Sequence, residues 1–118
     1  TQGVSSAASD VYKRQDVLPA NDPQKPVVMA YKTAFEKAAN MPVSTFGGYA
    51  HDAFKIAVDA IGRAGSSKPQ AIRDAIESTK GLIGTTGTYS FSKTDHLGLD
   101  LSAFRILEIK NGGWATVQ

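Results

Sequence analysis

Apolar residues in the first half of the chain repeat at helical spacing. In VVMAYKTAFEKAAN they recur at steps of three and four residues, at Val28, Tyr31, Phe35 and Ala38. This spacing is typical of a helix with one buried face. Pro26 suits the first turn of such a helix, because that position needs no N–H donor. The pattern predicts a first helix that ends near Asn40, since Pro42 blocks its continuation.

A second and longer helix is predicted from Phe46 onward. Its apolar positions are Phe46, Ala50, Ala53, Ala57, Ala60 and Ala64, with Phe54 and Ile61 to one side. At about 100° per residue these positions share one broad face. The opposite face carries Asp52, Lys55, Asp59, Gly62 and Arg63. We expect the apolar face, with its small side chains, to lie close against a neighbouring element.

The segment SSKPQAIRDAIESTKG predicts a short third helix. Helical period continues through Ile72, Ala75, Ile76 and Thr79. Ser67 and Gln70 have the spacing of a capping box, in which each side chain bonds a free backbone N–H of the other. Gly81 suits the left-handed position that follows a helix end.

The last third of the chain changes to the pattern of strands. Residues 88–91 alternate between polar and aromatic side chains, and SAFRILEI is rich in strand formers. Residues 110–113, KNGG, tolerate positive φ and predict a tight hairpin before WATV. Between these runs, SKTDHLGLD is expected to be a polar loop. Three helices followed by a strand and hairpin region predict an α/β fold.

Composition and charge exclude several kinds of protein. The chain has 118 residues, 42% of them hydrophobic, which fits a single packed domain. It has no cysteine, so disulfides, thiolate metal sites and thiol nucleophiles are excluded. Its thirteen basic and eleven acidic side chains are scattered, and this distribution indicates no nucleic-acid partner. No apolar run approaches the roughly 20 residues that cross a bilayer.

The first fifteen residues differ from the rest of the chain. They show no apolar periodicity, and residues 5–15, SSAASDVYKRQ, resemble the translation of a sequencing adapter. We therefore expect residues 1–15 to be a non-native, disordered segment. Residues 16–118 are expected to be the native part, and the sequence before residue 16 is expected to be missing.

Two acid–histidine pairs are candidates for chemistry. His51 and Asp52 are adjacent on the second helix, where neighbouring side chains point about 100° apart and do not form a dyad easily. We expect Asp52 to lie on the polar face, near the helix N-terminus where the dipole favours its charge. In TDHLGLD, Asp95, His96 and Asp100 lack the ligand spacing of a calcium or zinc site. Asp95 is expected to bond its own loop backbone, with His96 on a turn.

Neither a phosphate loop nor a serine nucleophile is predicted. Residues 84–87, GTTG, are too short for a phosphate-cradling loop and lack its Gly-Lys-Ser/Thr ending, so they indicate a turn into a strand. No serine stands in a nucleophile-elbow context. We expect no catalytic activity, no metal and no cofactor.

The segment Phe46, Gly47, Gly48 and Tyr49 is the candidate binding site. Two glycines at a helix start leave the backbone open to close approach, and free N–H groups there favour a polar or anionic partner. The aromatic side chains would add flat apolar contact. An alternative of equal weight is that Phe46 belongs to the core and that the glycines only permit tight packing.

The order of these motifs resembles the C-terminal part of the branched-chain amino acid family of periplasmic solute-binding proteins, which serve ABC importers. The resemblance covers residues 17–117. Three stretches carry it: FGGYAHDA, with its aromatic-Gly-Gly-x-x-x-Asp-Ala pattern; GLIGTTGTYSFSKTDHLGLD; and ILEIKNGGWATV, with its Lys-Asn-Gly turn and Trp-bearing last strand. His51 departs from the family, where many members have Tyr.

The resemblance implies part of one lobe of a type I periplasmic-binding fold. In the family a small solute lies between two α/β lobes, and the closed form is recognised by a membrane permease. Phe46 matches an aromatic residue that lines the cleft, with Gly47, Gly48 and Tyr49 beside it. The family implies a periplasmic or membrane-tethered extracellular protein whose N-terminal lobe is missing here. The solute is implied to be a branched-chain amino acid, an amide or a small organic acid.

Two other functions stay open at this stage. The same fold could serve as a ligand-sensing receptor or a regulatory domain rather than in transport. A small hydrolase that uses His51 or His96 is a third and weaker hypothesis.

Overall fold

The first helix, α1, spans Gln24–Ala39 in a computed structural model that describes residues 18–104 and 107–116. The expected boundary between residues 15 and 16 lies outside the described residues. Val28 and Tyr31 on α1 are buried with Leu18 and Val43, and Phe35 packs against them. Ala38, at the end of the predicted stripe, is exposed. The predicted end is confirmed: Asn40 adopts a left-handed conformation, and its N–H bonds the carbonyl of Glu36.

The second helix, α2, spans Thr45–Ala64 and ends at Gly65, which has a φ of 57°. The positions of α2 that pack against the rest of the protein differ from those that the sequence predicted. The polar face packs against the rest of the protein, because Arg63 donates to the carbonyl of Ala75 at 2.7 Å and Lys55 donates to the carbonyl of Ile83 at 2.8 Å. Ala60, on the predicted apolar face, is also buried. Part of the polar face, at Asp52, Lys55 and Arg63, is thus a docking face, whereas Gly62 on the same predicted face is exposed.

The predicted apolar face of α2 is largely exposed within the part of the chain that the structure describes. Its large exposed side chains are Phe46, Phe54, Val58 and Ile61. The expectation that this face packs against a neighbouring element is therefore wrong for the described residues. Helical period identified the two faces correctly, but which face is covered depends on tertiary partners that period does not reveal.

The third helix, α3, spans Pro69–Glu77. The predicted capping box is wrong: the N-cap is Lys68, and Gln70 donates to Asp74 instead. Pro69 explains the difference, because its fixed φ suits the first helical position, which places the N-cap one residue beyond Ser67. Gly81 has the expected positive φ of 66°, but it lies beyond Ser78, where the helix ends.

Two antiparallel hairpins follow the helices. Strands β1 (Leu82–Ile83) and β2 (Thr88–Tyr89) pair with each other, and a bond from the Gly84 N–H to the Gly87 carbonyl closes their loop. The sequence did not predict β1. The expected alternation is present, since Tyr89 and Phe91 are buried while Thr88 and Ser90 are exposed.

Strands β3 (Leu107–Lys110) and β4 (Gly113–Thr116) form the predicted C-terminal hairpin. Asn111 and Gly112 connect them with φ values of 54° and 77°, as a two-residue turn requires. A 3₁₀ helix, Leu101–Ala103, precedes β3. The described residues thus form three helices and two small sheets, an α/β arrangement.

Candidate ligand-binding site

The start of α2 carries the four predicted site residues. Ser44 is the N-cap, and its hydroxyl accepts a hydrogen bond from the Gly47 N–H at 3.2 Å. The Gly48 N–H bonds the Ser44 carbonyl at 3.2 Å and begins the helical pattern. The sequence prediction missed this cap, although a serine three residues before the bonded N–H is a typical N-cap signal.

Phe46 and Tyr49 are the aromatic residues of this first turn, and both side chains are exposed. Phe46 is 83% exposed and Tyr49 is 41% exposed. Residues three apart on a helix are neighbours on its surface, so the two aromatic side chains lie on the same side of α2. The alternative that Phe46 belongs to the core is wrong for the described residues.

Gly47 and Gly48 allow close packing behind these aromatic side chains. A Cβ at Gly47 would lie 2.5 Å from the Tyr31 hydroxyl, so any other residue here would force the Tyr31 side chain to move. Gly48 is buried, and its carbonyl accepts a hydrogen bond from the Thr85 hydroxyl at 3.2 Å. The glycines therefore have the packing role that the sequence left open. They also weaken the helix, because glycine costs about 1 kcal/mol relative to alanine in a helix interior.

The Tyr31 hydroxyl is buried under this turn. Among the described residues it has no hydrogen-bond partner. Burial raises the pKa of Tyr31, and the negative charge of Asp52 raises it further. A buried hydroxyl without a partner loses its bonds to water without replacement, so this group destabilises the folded state.

A groove of about 710 Å³ runs between α1 and α2, beside the predicted site. Tyr31 lies between Phe35 and His51, with ring centroids 5.8 Å and 4.7 Å away. The groove is lined by Pro26, Val27, Ala30, Tyr31, Ala34, Phe35, His51 and Lys55. None of the four predicted residues lines it. The predicted site and this groove are therefore adjacent but separate.

Asp52 is buried, and this corrects its expected place on an exposed polar face. It is 0% exposed. Its Oδ1 accepts the Thr85 main-chain N–H at 2.7 Å, and its Oδ2 accepts the Thr86 N–H and hydroxyl at 2.9 and 2.7 Å. The Tyr89 hydroxyl adds a longer bond of 3.3 Å. Asp52 thus fastens the β1–β2 loop to α2.

The His51–Asp52 pair does not act as a dyad in this structure. Nδ1 of His51 lies 3.5 Å from Oδ1 of Asp52, at the limit of a hydrogen bond. The Thr85 N–H donates to that oxygen at the much shorter distance of 2.7 Å.

Tyr89 belongs to the cluster around Asp52. Burial raises the pKa of Tyr89, and the charge of Asp52 contributes in the same direction. No local pattern indicates this cluster, because Asp52 and Thr85 are 33 positions apart, with α3 and β1 between them.

The loop after β2 matches its prediction. Oδ1 of Asp95 accepts the main-chain N–H groups of Leu97 and Gly98 at 3.0 and 3.2 Å. Nε2 of His96 lies 3.3 Å from Oε1 of Glu77 on α3, beside a second groove of about 530 Å³. Asp100 caps the 3₁₀ helix through the Ser102 N–H. The three candidates are thus used separately and do not converge.

Metal and membrane features are absent from the described part of the chain. Within residues 18–104 and 107–116 no group of three or more potential ligands could hold a metal ion. No helix among the same residues has the length and apolar character needed to span a bilayer.

The fold is that of part of one lobe of a type I periplasmic-binding protein. Solved structures with this arrangement are extracellular ligand-binding receptors. No protein-family model matches the chain, and no curated protein sequence matches it.

The similar solved structures include two receptors from Rhodopseudomonas palustris. An extracellular ligand-binding receptor from this organism is 26% identical to the chain, with a TM-score of 0.74. Another, from strain HaA2, is 29% identical, with a TM-score of 0.75. Each match covers 92% of this chain and 33% of the receptor. The chain therefore spans about a third of the length of the receptors it resembles.

Proposed function

We propose that the chain is part of the solute-binding component of an ABC importer. In this proposal Phe46, Gly47, Gly48 and Tyr49 form one wall of a ligand cleft between two lobes. The remainder of the protein supplies the opposite wall, and the closed form delivers the solute to a membrane permease. The protein acts in the periplasm or tethered outside the cell, without a cofactor, a nucleic-acid partner or catalytic activity.

The exposed aromatic pair at the front of α2 carries this proposal. An exposed Phe46 has no packing role among the described residues, whereas an aromatic wall gives a bound solute a large apolar contact. The fold shared with extracellular ligand-binding receptors supports the same reading.

The first turn of α2 also supports the class of solute. It contains no acidic side chain, so the positive end of the helix dipole is not neutralised there. Such a turn favours a carboxylate or carbonyl oxygen, and the aromatic rings favour an apolar body. We propose a branched-chain amino acid, an amide or a small organic acid as the solute.

The test is calorimetric titration of the full-length product of the gene that encodes this segment. L-leucine, acetamide and benzoate serve as probes of the three solute classes. Phe46→Ala should weaken the binding of whichever probe binds by about tenfold or more, as expected for an aromatic contact at the centre of a site. It should leave the free energy of unfolding of the 118-residue chain within about 0.5 kcal/mol of wild type, because the side chain is exposed.

Phe54→Ala is the matched control. Phe54 is 72% exposed on the same helix, eight residues from Phe46 and hence about 12 Å further along the axis. Its replacement should change the affinity by less than about twofold, a shift below 0.5 kcal/mol. Unchanged affinity in Phe46→Ala, or no binding of any of the three probes, would contradict the proposed site and solute class.

Ligand sensing is the second candidate function, and the similar structures favour it by being receptors. Uptake of the bound solute into cells discriminates the two functions. A deletion of the gene should lower uptake at micromolar solute if the protein serves an importer. Normal uptake with a lost transcriptional or behavioural response to the solute would instead identify a sensor.

A further inference from the structure

The first turn of α2 carries the proposed ligand-binding residues, yet its sequence is poor for a helix. Gly47 and Gly48 are consecutive, and glycine is the least favourable helix residue apart from proline. Ser44 satisfies one N–H of this turn through the cap to Gly47. A turn of this composition frays readily unless another part of the protein holds it.

Thr85 supplies such an anchor from the β1–β2 loop. Its main-chain N–H donates to Oδ1 of Asp52 at 2.7 Å, and its hydroxyl donates to the carbonyl of Gly48 at 3.2 Å. Gly48 and Asp52 are four residues apart, so they lie one above the other on consecutive turns. Thr85 therefore joins the first turn of α2 to the second, and it is fully buried while doing so.

Gly84 allows this close approach. A Cβ at Gly84 would lie 2.6 Å from Oδ2 of Asp52 and 2.8 Å from the Tyr89 ring. The loop can thus place Thr85 against α2 only because its neighbour has no side chain. The anchor contacts the side of the turn that faces the protein, whereas Phe46 extends to the exposed side.

We propose that Thr85 is a positioning residue for the ligand-binding turn. Its hydroxyl keeps the Gly47–Gly48 turn helical, so that Phe46 and Tyr49 are held in their binding arrangement before a solute arrives. This inference rests on the proposed function. A site that is formed for only a fraction of the time binds with an affinity reduced by that fraction, so loss of the anchor weakens binding without removing any solute contact.

Amide hydrogen exchange of the 118-residue chain, followed by NMR, tests the anchor directly. Thr85→Val keeps the shape and the main-chain N–H but removes the hydroxyl. The amides of residues 49–52 bond the carbonyls of the first turn. We expect them to exchange about fivefold faster than in wild type, measured relative to the amides of α3, as loss of one hydrogen bond predicts.

Two further variants make the result specific. Thr86→Val removes a hydroxyl from the same loop, but that hydroxyl contacts Asp52 and Tyr89 rather than the first turn. Thr86→Val should leave the ratio of the exchange rates of amides 49–52 to those of α3 close to the wild-type ratio. Thr85→Ser keeps a hydroxyl and should restore slow exchange. Equal acceleration in both valine variants, or no recovery in Thr85→Ser, would overturn the proposal.

Titration of the full-length protein separates this inference from the proposed function. With whichever of L-leucine, acetamide and benzoate binds, Thr85→Val should lower the affinity by the factor by which the formed fraction of the turn falls, as the protection of amides 49–52 measures it, and at most about fivefold. If Phe46→Ala weakens binding while Thr85→Val changes neither quantity, the anchor is wrong and the site stands. If Thr85→Val lowers the formed fraction of the turn selectively without the matching loss of affinity, the anchor stands and ligand binding does not depend on this turn.

Discussion

Oδ2 of Asp52 accepts two hydrogen bonds from Thr86, one from its main-chain N–H at 2.9 Å and one from its hydroxyl at 2.7 Å. The two residues are 34 positions apart in the sequence. The hydrogen bonds from this loop to the carboxylate connect two elements of the protein, as hydrogen bonds between paired strands do in a sheet. It fixes the loop on the helix, and it also compensates the cost of removing the carboxylate from water.

Asp52→Asn should therefore destabilise the chain by about 2 to 3 kcal/mol, because an amide N–H₂ would face the Thr85 or Thr86 N–H and leave a buried donor unpaired. Urea unfolding followed by circular dichroism measures the change. Asp59→Asn is the control, since Asp59 is partly exposed and pairs with Arg63 on the surface of α2. It should cost less than about 1 kcal/mol. Equal costs for the two variants would mean that the buried cluster contributes no more than a surface ion pair.

A second prediction concerns the glycine beside this cluster. Gly84→Ala should destabilise the chain by about 2 kcal/mol or more, because its Cβ would overlap the Asp52 carboxylate and the Tyr89 ring. Gly62→Ala is the matched control, since nothing lies within 4 Å of the new Cβ on the exposed side of α2. It should stabilise the chain by about 0.5 to 1 kcal/mol through helix propensity. Opposite signs for the two substitutions in thermal unfolding are the decisive result.

The sequence predicted the three helices and the last hairpin, because helical period and the Asn-Gly turn are local signals. It did not predict that Asp52 is buried. Its position on the polar face of α2 was inferred correctly, but the loop that covers this face comes more than thirty residues later. The helical period describes one helix at a time, whereas the burial of a residue depends on the elements that pack against that helix.

The candidate site shows the same limit. Phe46 and Ala60 belong to one predicted stripe, yet Phe46 is exposed and Ala60 is buried. The predicted stripe therefore contains both buried and exposed positions among the described residues. The anchoring role of Thr85 could not be predicted, because nothing local distinguishes a buried loop threonine from an exposed one.

The third prediction compares two buried tyrosines. Tyr31→Phe should leave the stability within about 0.5 kcal/mol of wild type or raise it, because the hydroxyl has no partner among the described residues and the ring packing is kept. Tyr89→Phe should cost about 1 kcal/mol, because that hydroxyl bonds Thr86 and Asp52. Chemical unfolding of both variants gives the comparison. A larger loss in Tyr31→Phe than in Tyr89→Phe would indicate that Tyr31 has a hydrogen-bond partner after all.

The fourth prediction concerns the exposed apolar face of α2. Side chains such as Phe54 and Ile61 give the 118-residue chain a contiguous patch that promotes self-association. Ile61→Lys should shift the sedimentation of the chain toward the monomer at a given concentration. Gln70→Lys adds the same charge on the exposed surface of α3 and should have little effect. If both variants shift sedimentation equally, net charge rather than this face controls the association.

The last prediction concerns acid stability at the junction of α3 with the following loop. Oε1 of Glu77 lies 2.9 Å from Nε of Arg73 and 3.3 Å from Nε2 of His96. The hydrogen bond from Arg73 lowers the pKa of Glu77 below its usual value of 4.5, and His96 contributes in the same direction. Because the pKa is lower in the folded state than in the unfolded chain, the contribution of Glu77 is fully present above pH 4.5. It is lost as the pH falls from there through the folded pKa.

Thermal unfolding between about pH 3 and pH 6, on either side of the ordinary pKa of a glutamate, measures this contribution. Glu77→Gln should flatten the fall of the melting temperature below pH 4.5, and Arg73→Met should flatten it similarly because it removes the main cause of the lowered pKa. Part of the slope should remain in both variants, since the hydrogen bonds from Ser102 also lower the pKa of Asp100. An acid slope that is the same in wild type and Glu77→Gln would show that the Arg73–Glu77–His96 contact contributes nothing to the folded state.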